Sequence, residues 1–499
     1  MSDSYIIPRY KVLRSQFDAI EKALVGLNKD TAHLVKHILV SKLLQGREIE
    51  KGDGFAHVPS ETIRRELPNA RWRDALHLIE ATDYSKVGHR ARGFRVKPEV
   101  EQAFLEAAET ISMADYIEAD KVNLFSGRLA NRRLESQYHD NSRNSEPKII
   151  VGAMKVLSTN QVPFVPEAIE GHLQRLKQES DEVGKVHGRD SDEYRAAYGR
   201  YLSDKYSYLS VLNQHPEVNG SVGAFHPAYI VRSTGRIHHI GGGLQSASRL
   251  MKAAAYTGID DLRNYDLKNS QPRLVIQYLE EAGLDPSPME AYLEAGRDAY
   301  AAKIGISPDL LKGLFLAMLM GATVPKRFNN LIARTGSFVR RTMQEYDNDE
   351  LRVRQVLEGF REVFDSVIVQ LNRWHQYLLE EWIPQHQETR GRSGATVSNA
   401  VGKKFPVAEL SAIEDYRAIP RLSAFILQGH EALFIHTLTT LGTMHGFTPV
   451  GNEHDGLIVL GEIPTEAIEA AGRLSGLRNA KLVEKPFIAE APGFSSVAA

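Results

Sequence analysis

Strand-like texture occurs twice in this chain, and a long helical run separates the two occurrences. GAFHPAYIV and TGRIHHI read as strands after Asn219, and GIDDLRNYDL reads as a strand that ends in charge. Between them a GGG turn leads into LQSASRLMKAAAY, which has a helical pattern. From about 272 to 385 the pattern is helical, and strand texture returns in FTPVG, HDGLIVL and KLVEKPFI. Strands at 221–266 and 446–490 with helices between them predict one discontinuous sheet domain carrying a large helical insertion. That is an α+β layout and not a doubly wound parallel sheet.

Upstream, TAHLVKHILVSKLL carries apolar residues at helical spacing. Ser60 is placed to cap a second helix, SETIRREL, which Pro68 stops. ARWRDALHLIEAT predicts a third helix. KVGHRARGFRVK then holds Lys86, Arg90, Arg92, Arg95 and Lys97 with no acid among them. Three short helices and a basic hairpin resemble a winged helix that grips DNA by its phosphates; the alternative is a small helical packing domain with a solvated basic edge. From about 100 to 215, AIEGHLQRLKQESDEV and SDEYRAAYGRYLSDKYSYLSVL are long amphipathic runs. Their basic residues alternate with tyrosines, but acids are nearly as frequent, and a solvated helix pair explains the charges.

The 499 residues allow two to four domains. A net charge of -2 gives no global attraction to an anionic partner, so any nucleic-acid surface must be local. The absence of cysteine removes disulfides and thiolate zinc sites and fits a cytosolic chain. MSDSYIIPRYKVLRSQ has no secretory-signal pattern. The most apolar segment, LLKGLFLAMLMGATV from Leu310, is interrupted by Lys312 and is shorter than the roughly 20 residues a membrane span needs. A soluble, cytoplasmic protein is expected.

Two aspartates carry the candidate chemistry. Asp266, in YDLKNSQPRL, follows a predicted strand, and Asp455, in GNEHDGLIVL, sits where two predicted strands turn in a hairpin. Joining a 3′-hydroxyl to an α-phosphate requires charge neutralisation on the attacking and leaving oxygens. Two divalent cations about 3.5–4 Å apart, held by carboxylates at strand ends, supply it. Alone the pair proves little: among 63 acidic residues, a strand-end aspartate is usually a turn former.

Order and context add to the signal. Over roughly 233–460 the sequence resembles the A-family DNA polymerases, the DNA polymerase I group, and the related single-subunit RNA polymerases. Five separated segments carry the resemblance, in the family's order. TGRIHHIGGGLQ is similar to the segment in which a TGR leads to an LQ, implying that Arg236 and Gln245 touch primer and template. YDLKNSQPR resembles the first metal motif, with Asp266 as ligand and Gln271 five residues on. LLKGLFLAMLMG resembles the fingers helix, in which a lysine precedes a glycine by nine residues, here Lys312 and Gly321. LQGHEALFI is similar to a helix with a QG pair, implying a minor-groove role for Gln428. EHDGLIV resembles the second metal motif, with the His454–Asp455 pair on a hairpin.

Spacing supports the fingers assignment. Ser307 is a plausible N-cap, Pro308 suits the first helical position, and Lys312, Leu316 and Met320 share a face. The resemblance implies that Lys312 binds the incoming nucleotide and that Leu316 and Met320 face its base; the bland alternative is a core helix with a snorkelling lysine. Departures from the family are also visible. Pro308 stands where an arginine is usual, so that Lys303, Lys326 or Arg327 would have to replace its phosphate contact. Met320 stands where a tyrosine is usual. Gln271 stands where DNA-making members place a glutamate that blocks a ribose 2′-hydroxyl, which leaves the sugar choice open.

Blander readings fit the remaining features. His430 and His436 are six apart, not the four that pairs zinc ligands on one helix face. His238 and His239 fall on opposite sides of a strand, and the triple glycine 241–243 lacks a dinucleotide-binding spacing. Arg340 and Arg341 are either contacts to a template phosphate or exposed arginines on a solvated helix. His454 reads as a structural neighbour of the metal site.

The combined expectation is a right-hand polymerase. It has a winged-helix-like DNA-binding domain over 1–100, a helical thumb-like region over 101–220, a palm split into 221–300 and 406–499, and fingers over 301–405. Its partners would be DNA template and primer, nucleoside triphosphates and replication proteins. Its cofactor would be two Mg²⁺ ions, or Mn²⁺. The nearest rival is a DNA-dependent RNA polymerase or primase. A rival of another class is a DNA-binding replication initiator with an inactive palm.

Overall fold

A computed structural model describes residues 11–44, 56–82, 91–109, 119–129, 146–189, 191–214, 216–227, 229–239, 243–325, 337–346, 349–389, 394–411 and 415–487. Lys326, Arg327 and Arg90, together with Gly241 and Gly242, lie outside them, as do the side chains of Arg92 and Arg340.

The sheet that organises the molecule has four antiparallel strands, in the order Thr448–Asn452, Gly456–Leu460, Leu262–Leu267 and Leu482–Glu484. It joins the two halves of the strand texture as expected. Its membership is narrower, however: Val222–Phe225, Tyr229–Val231 and Ile237–His239 pair in two small separate sheets. Leu457, Ile458 and Val459 are all buried, because one face of the sheet meets the helices Asp415–His445 and Thr465–Ser475 and the other faces the N-terminal half.

The insertion is helical, with a small three-stranded sheet near its end. Helix Pro308–Leu319 begins as expected: the Ser307 side chain accepts from Leu310 N at 3.1 Å, and Pro308 occupies the first turn. Helix Glu350–Tyr377 starts where Asp349 caps Leu351 and Arg352, and it buries Val353, Val356, Leu357, Phe360 and Phe364 at helical spacing. Between these helices Tyr292, Phe315 and Phe364 pack together, with the first two rings stacked 4.1 Å apart. This aromatic wedge fixes the buried side of Pro308–Leu319 and leaves Lys312 exposed.

Two expectations for the first 220 residues need correction. ARWRDALHLIEAT does not form a helix. Trp72–Ala75 is a single 3-10 turn, and Ile79–Ala81 is a strand paired with Ala91–Val96, which also pairs with Ala56–Pro59. Pairing with a distant strand overrides the local helical pattern. The tyrosine-rich run is a helix, Asp192–Leu212, but not a solvated one. Tyr194, Tyr198, Tyr201, Tyr206 and Tyr208 are buried, and the first two rings stack at 5.4 Å. Its buried Asp204 accepts from Ser248 N and Ser248 Oγ and meets His172 Nε2 at 2.8 Å, tying three helices together.

LQSASRLMKAAAY is likewise two helices, Gly243–Ser246 and Arg249–Tyr256, because Ser248 caps the second by accepting from Met251 N. Among the described residues, no helix is long and apolar enough to cross a membrane.

Candidate active site

The antiparallel register places Asp266 opposite Gly456, the residue after Asp455. Leu267 N donates to Asp455 O at 2.8 Å, which extends the ladder into the turn. Gly456 permits this approach, since a Cβ there would stand 2.3 Å from Tyr265 O. The turn itself is held internally. Asn452 Oδ1 accepts from His454 N at 3.0 Å, Glu453 N donates to Gly456 O at 3.0 Å, and His454 takes a left-handed φ of 70°. Lys252, from helix Arg249–Tyr256, pairs with Glu453.

The electrostatics of the pair follow from this placement. Burial pushes the Asp455 carboxyl up to about 7, and the charges of Glu431 and Asp266 push in the same direction against an opposing pull from Arg236. Asp266 forms an ion pair with Lys485, whose backbone N also donates to Asn264 O at 2.7 Å. Burial and the neighbouring acids disfavour the ionised form of Asp455, and a cation placed beside it would favour that form. Divalent cations suit an ionised carboxylate. Among the described residues no group of three or more His, Asp or Glu side chains is placed to hold a metal ion.

Behind the pair stands Glu431, fully buried on helix Asp415–His445. It forms an ion pair with Arg236 and accepts from Ser270 Oγ. Sequence reading passed over it, although an acid amid Leu427, Phe434 and Ile435 on an apolar helix was the available signal. For Lys485 no such signal existed.

The other expected site residues fall in several places. His238 and His454 lie against each other beside the turn, with ring centroids 4.2 Å apart and ring planes tilted by 39°. Burial and the nearby Arg232 and Arg236 lower His238 to about 4, and burial together with His238, Arg236 and Lys252 lowers His454 to about 2. Both rings are therefore neutral at pH 7 and add no positive charge to the turn. Gln245 is buried with its amide engaged: Oε1 accepts from His239 N at 2.8 Å, and Nε2 donates to Ile237 O and to Asn452 O at 2.7 Å. In this structure it ties the TGR-containing segment to the Asp455 hairpin.

Gln271 is half-buried in the first turn of helix Ser270–Glu281, next to Ser270. Gln428 is half-buried on the helix of Glu431, one turn before it. On helix Pro308–Leu319 and its end, Lys312 is exposed and Leu316 and Met320 are half-buried, so the three share the unburied face. Gly321 follows that end and packs against Ile419. Lys303 lies 4.6 Å from the centre of the Tyr300 ring. His430 and His436 are engaged by Tyr278 and by the backbone oxygens of Ser475 and Gly235.

Neither any protein-family model nor any curated protein matches the chain. A solved structure with some similarity is the POL domain of Pol1 from M. smegmatis, in complex with a DNA primer-template and dNTP. The similarity extends over 78% of this chain and 73% of that one, at 10% identity and a TM-score of 0.41. The chain's own geometry carries the functional reading.

Proposed function

We propose that this protein is a template-directed nucleotidyltransferase, most simply a DNA-dependent DNA polymerase that extends a primer. The observation that carries the reading is the meeting of Asp266 and Asp455 on adjacent strand ends, although the helical insertion separates them in sequence. Asp266 and Asp455 would hold the two magnesium or manganese ions, whose charge offsets that on the attacking and leaving oxygens. Glu431 fixes Arg236 beside them, and the neutral His238–His454 pair packs at the turn. Lys312 supplies a positive charge for triphosphate oxygens, with Leu316 and Met320 along the same face for the base. Arg236, Gln428 and the basic hairpin with Arg90 and Arg92 are assigned to nucleic acid. Residues 1–100 serve as a DNA anchor, 101–220 as thumb, 221–300 and 406–499 as palm and 301–405 as fingers.

Primer extension on a primed template, with each divalent metal, tests this. The parent protein is expected to add nucleotides, and Asp266→Ala and Asp455→Ala are expected to abolish synthesis while template binding persists. A parent that binds DNA but makes no product with magnesium or manganese would sink the reading and favour a non-enzymatic initiator. One observation favours a second reading, an RNA polymerase or primase. Gln271, in the first turn after the Asp266 strand, carries an amide able to donate to a 2′-hydroxyl. Incorporation of NTPs in preference to dNTPs, or initiation without a primer, would decide for it.

A further inference from the structure

A guanidinium lies across the helix that carries Lys312. Helices Pro308–Leu319 and Ser337–Glu345 pack antiparallel. Ser307 Oγ, at the start of the first, is 3.4 Å from Glu345 Oε1, at the end of the second, and Gly313 meets Arg341 one turn further along. A Cβ on Gly313 would stand 2.8 Å from Arg341 Nη1 and 3.9 Å from its Cδ and Cζ. The guanidinium thus occupies the space that glycine leaves, beside the residue that follows Lys312.

Lys312 and Arg341 are both exposed, and neither forms an ion pair or side-chain hydrogen bond among the described residues. The nearby acids stand one turn away on each helix: Asp309 three residues before Lys312, and Glu345 four residues after Arg341, where it meets Ser307 and not the guanidinium. Beyond the cations the same face continues as Leu316 and Met320, half-buried and apolar. Two like charges at neighbouring positions on packed helices repel, and an anion between them relieves that repulsion. An ammonium is a point charge, whereas a guanidinium presents a planar fork of donors. Together they match the spaced oxygens of a polyphosphate next to an apolar surface for a base.

We propose that Arg341 is the second phosphate-binding cation of the site and grips the triphosphate tail together with Lys312. The proposal rests on the polymerase reading for the identity of its ligand as a nucleoside triphosphate.

Steady-state extension by the full chain, with primer-template affinity measured in parallel, tests it. Arg341→Ala should raise KM for the nucleotide about tenfold or more, change kcat less, and leave primer-template affinity unchanged. Arg341→Lys should recover part of the loss. Gly313→Ala keeps both cations but displaces the flexible end of Arg341, so it should raise KM several-fold in a folded protein. If Arg341→Ala leaves KM within about twofold of the parent while Lys312→Ala raises it, the assignment of Arg341 is wrong and the polymerase reading stands. If the parent makes no product with any nucleotide, the polymerase reading falls. Calorimetry with inorganic tripolyphosphate then decides for Arg341: binding weakened by Arg341→Ala retains the anion site, and equal binding by parent and variant overturns it.

Discussion

Glu431 and Arg236 form an ion pair in which the carboxylate is fully buried and the guanidinium partly so, and this pair joins the helix Asp415–His445 to the segment before Ile237–His239. Ser270 Oγ donates to the same carboxylate and brings in the helix that follows Asp266. Breaking a buried pair from one side strands the other charge, which costs about 3–5 kcal/mol. Glu431→Ala should therefore lower the urea midpoint strongly. The double variant Glu431→Leu with Arg236→Met should recover much of the loss, since no charge is left unpaired. A cost under about 1 kcal/mol for Glu431→Ala would mean that the pair is solvated in solution.

Asp455 makes stability depend on pH with a definite sign. Its folded value of about 7 lies above the ordinary aspartate value near 3.9, so the native state holds the proton more tightly than the unfolded chain. Below about pH 4 the carboxyl is neutral in both states and imposes no penalty. As pH rises toward 7 the native state is progressively penalised, by about 1.4 kcal/mol per unit, and above 7 the loss is constant. Without divalent cations, Asp455→Asn should then melt higher than the parent at pH 8 and close to it at pH 4. Thermal melts across that range decide the matter, and identical profiles for parent and variant would refute the burial of this carboxyl.

These two residues also show what the sequence disclosed and what it hid. The strand ends at Asp266 and Asp455 were legible because each combines an alternating or apolar run with charge, a local pattern. Ser307 and Pro308 were legible as a helix start for the same reason. Glu431 was not, because its importance lies in the contacts of a helix face with two segments far away in sequence. The tyrosines of Asp192–Leu212 were misread because charge frequency says nothing about which side of a helix is covered. ARWRDALHLIEAT was misread because its partner, Ala91–Val96, lies outside the window in which helical spacing is judged.

Lys485 sets the third expectation. Its ammonium sits on Asp266 from a side chain that is 56% exposed, so removing it costs little stability, within about 1 kcal/mol. Under the proposed metal assignment its charge competes for the oxygen that a divalent cation would take. Lys485→Ala should lower the manganese concentration that half-stabilises the protein against heat several-fold, with the metal-free melting temperature nearly unchanged. An unaltered half-saturation point would show that the ammonium leaves the carboxylate at no cost.

Gly456 offers the most direct test of the geometry that brings the two aspartates together. A methyl there would stand 2.3 Å from the backbone oxygen of Tyr265, and backbone cannot swing aside as a side chain can. Gly456→Ala must therefore part the strands that carry Asp266 and Asp455, at a cost of about 1–3 kcal/mol or more. Gly171→Ala is the contrast. Its helix Pro166–His187 leaves open space at that position, and replacing a helical glycine should stabilise by about 0.5–1 kcal/mol. Because parted strands open Asp455 to solvent and separate the two charges, Gly456→Ala should also flatten the pH dependence of stability predicted for Asp455. If Gly456→Ala is as stable as the parent and keeps its pH profile, the strands are not in the close register that the site requires.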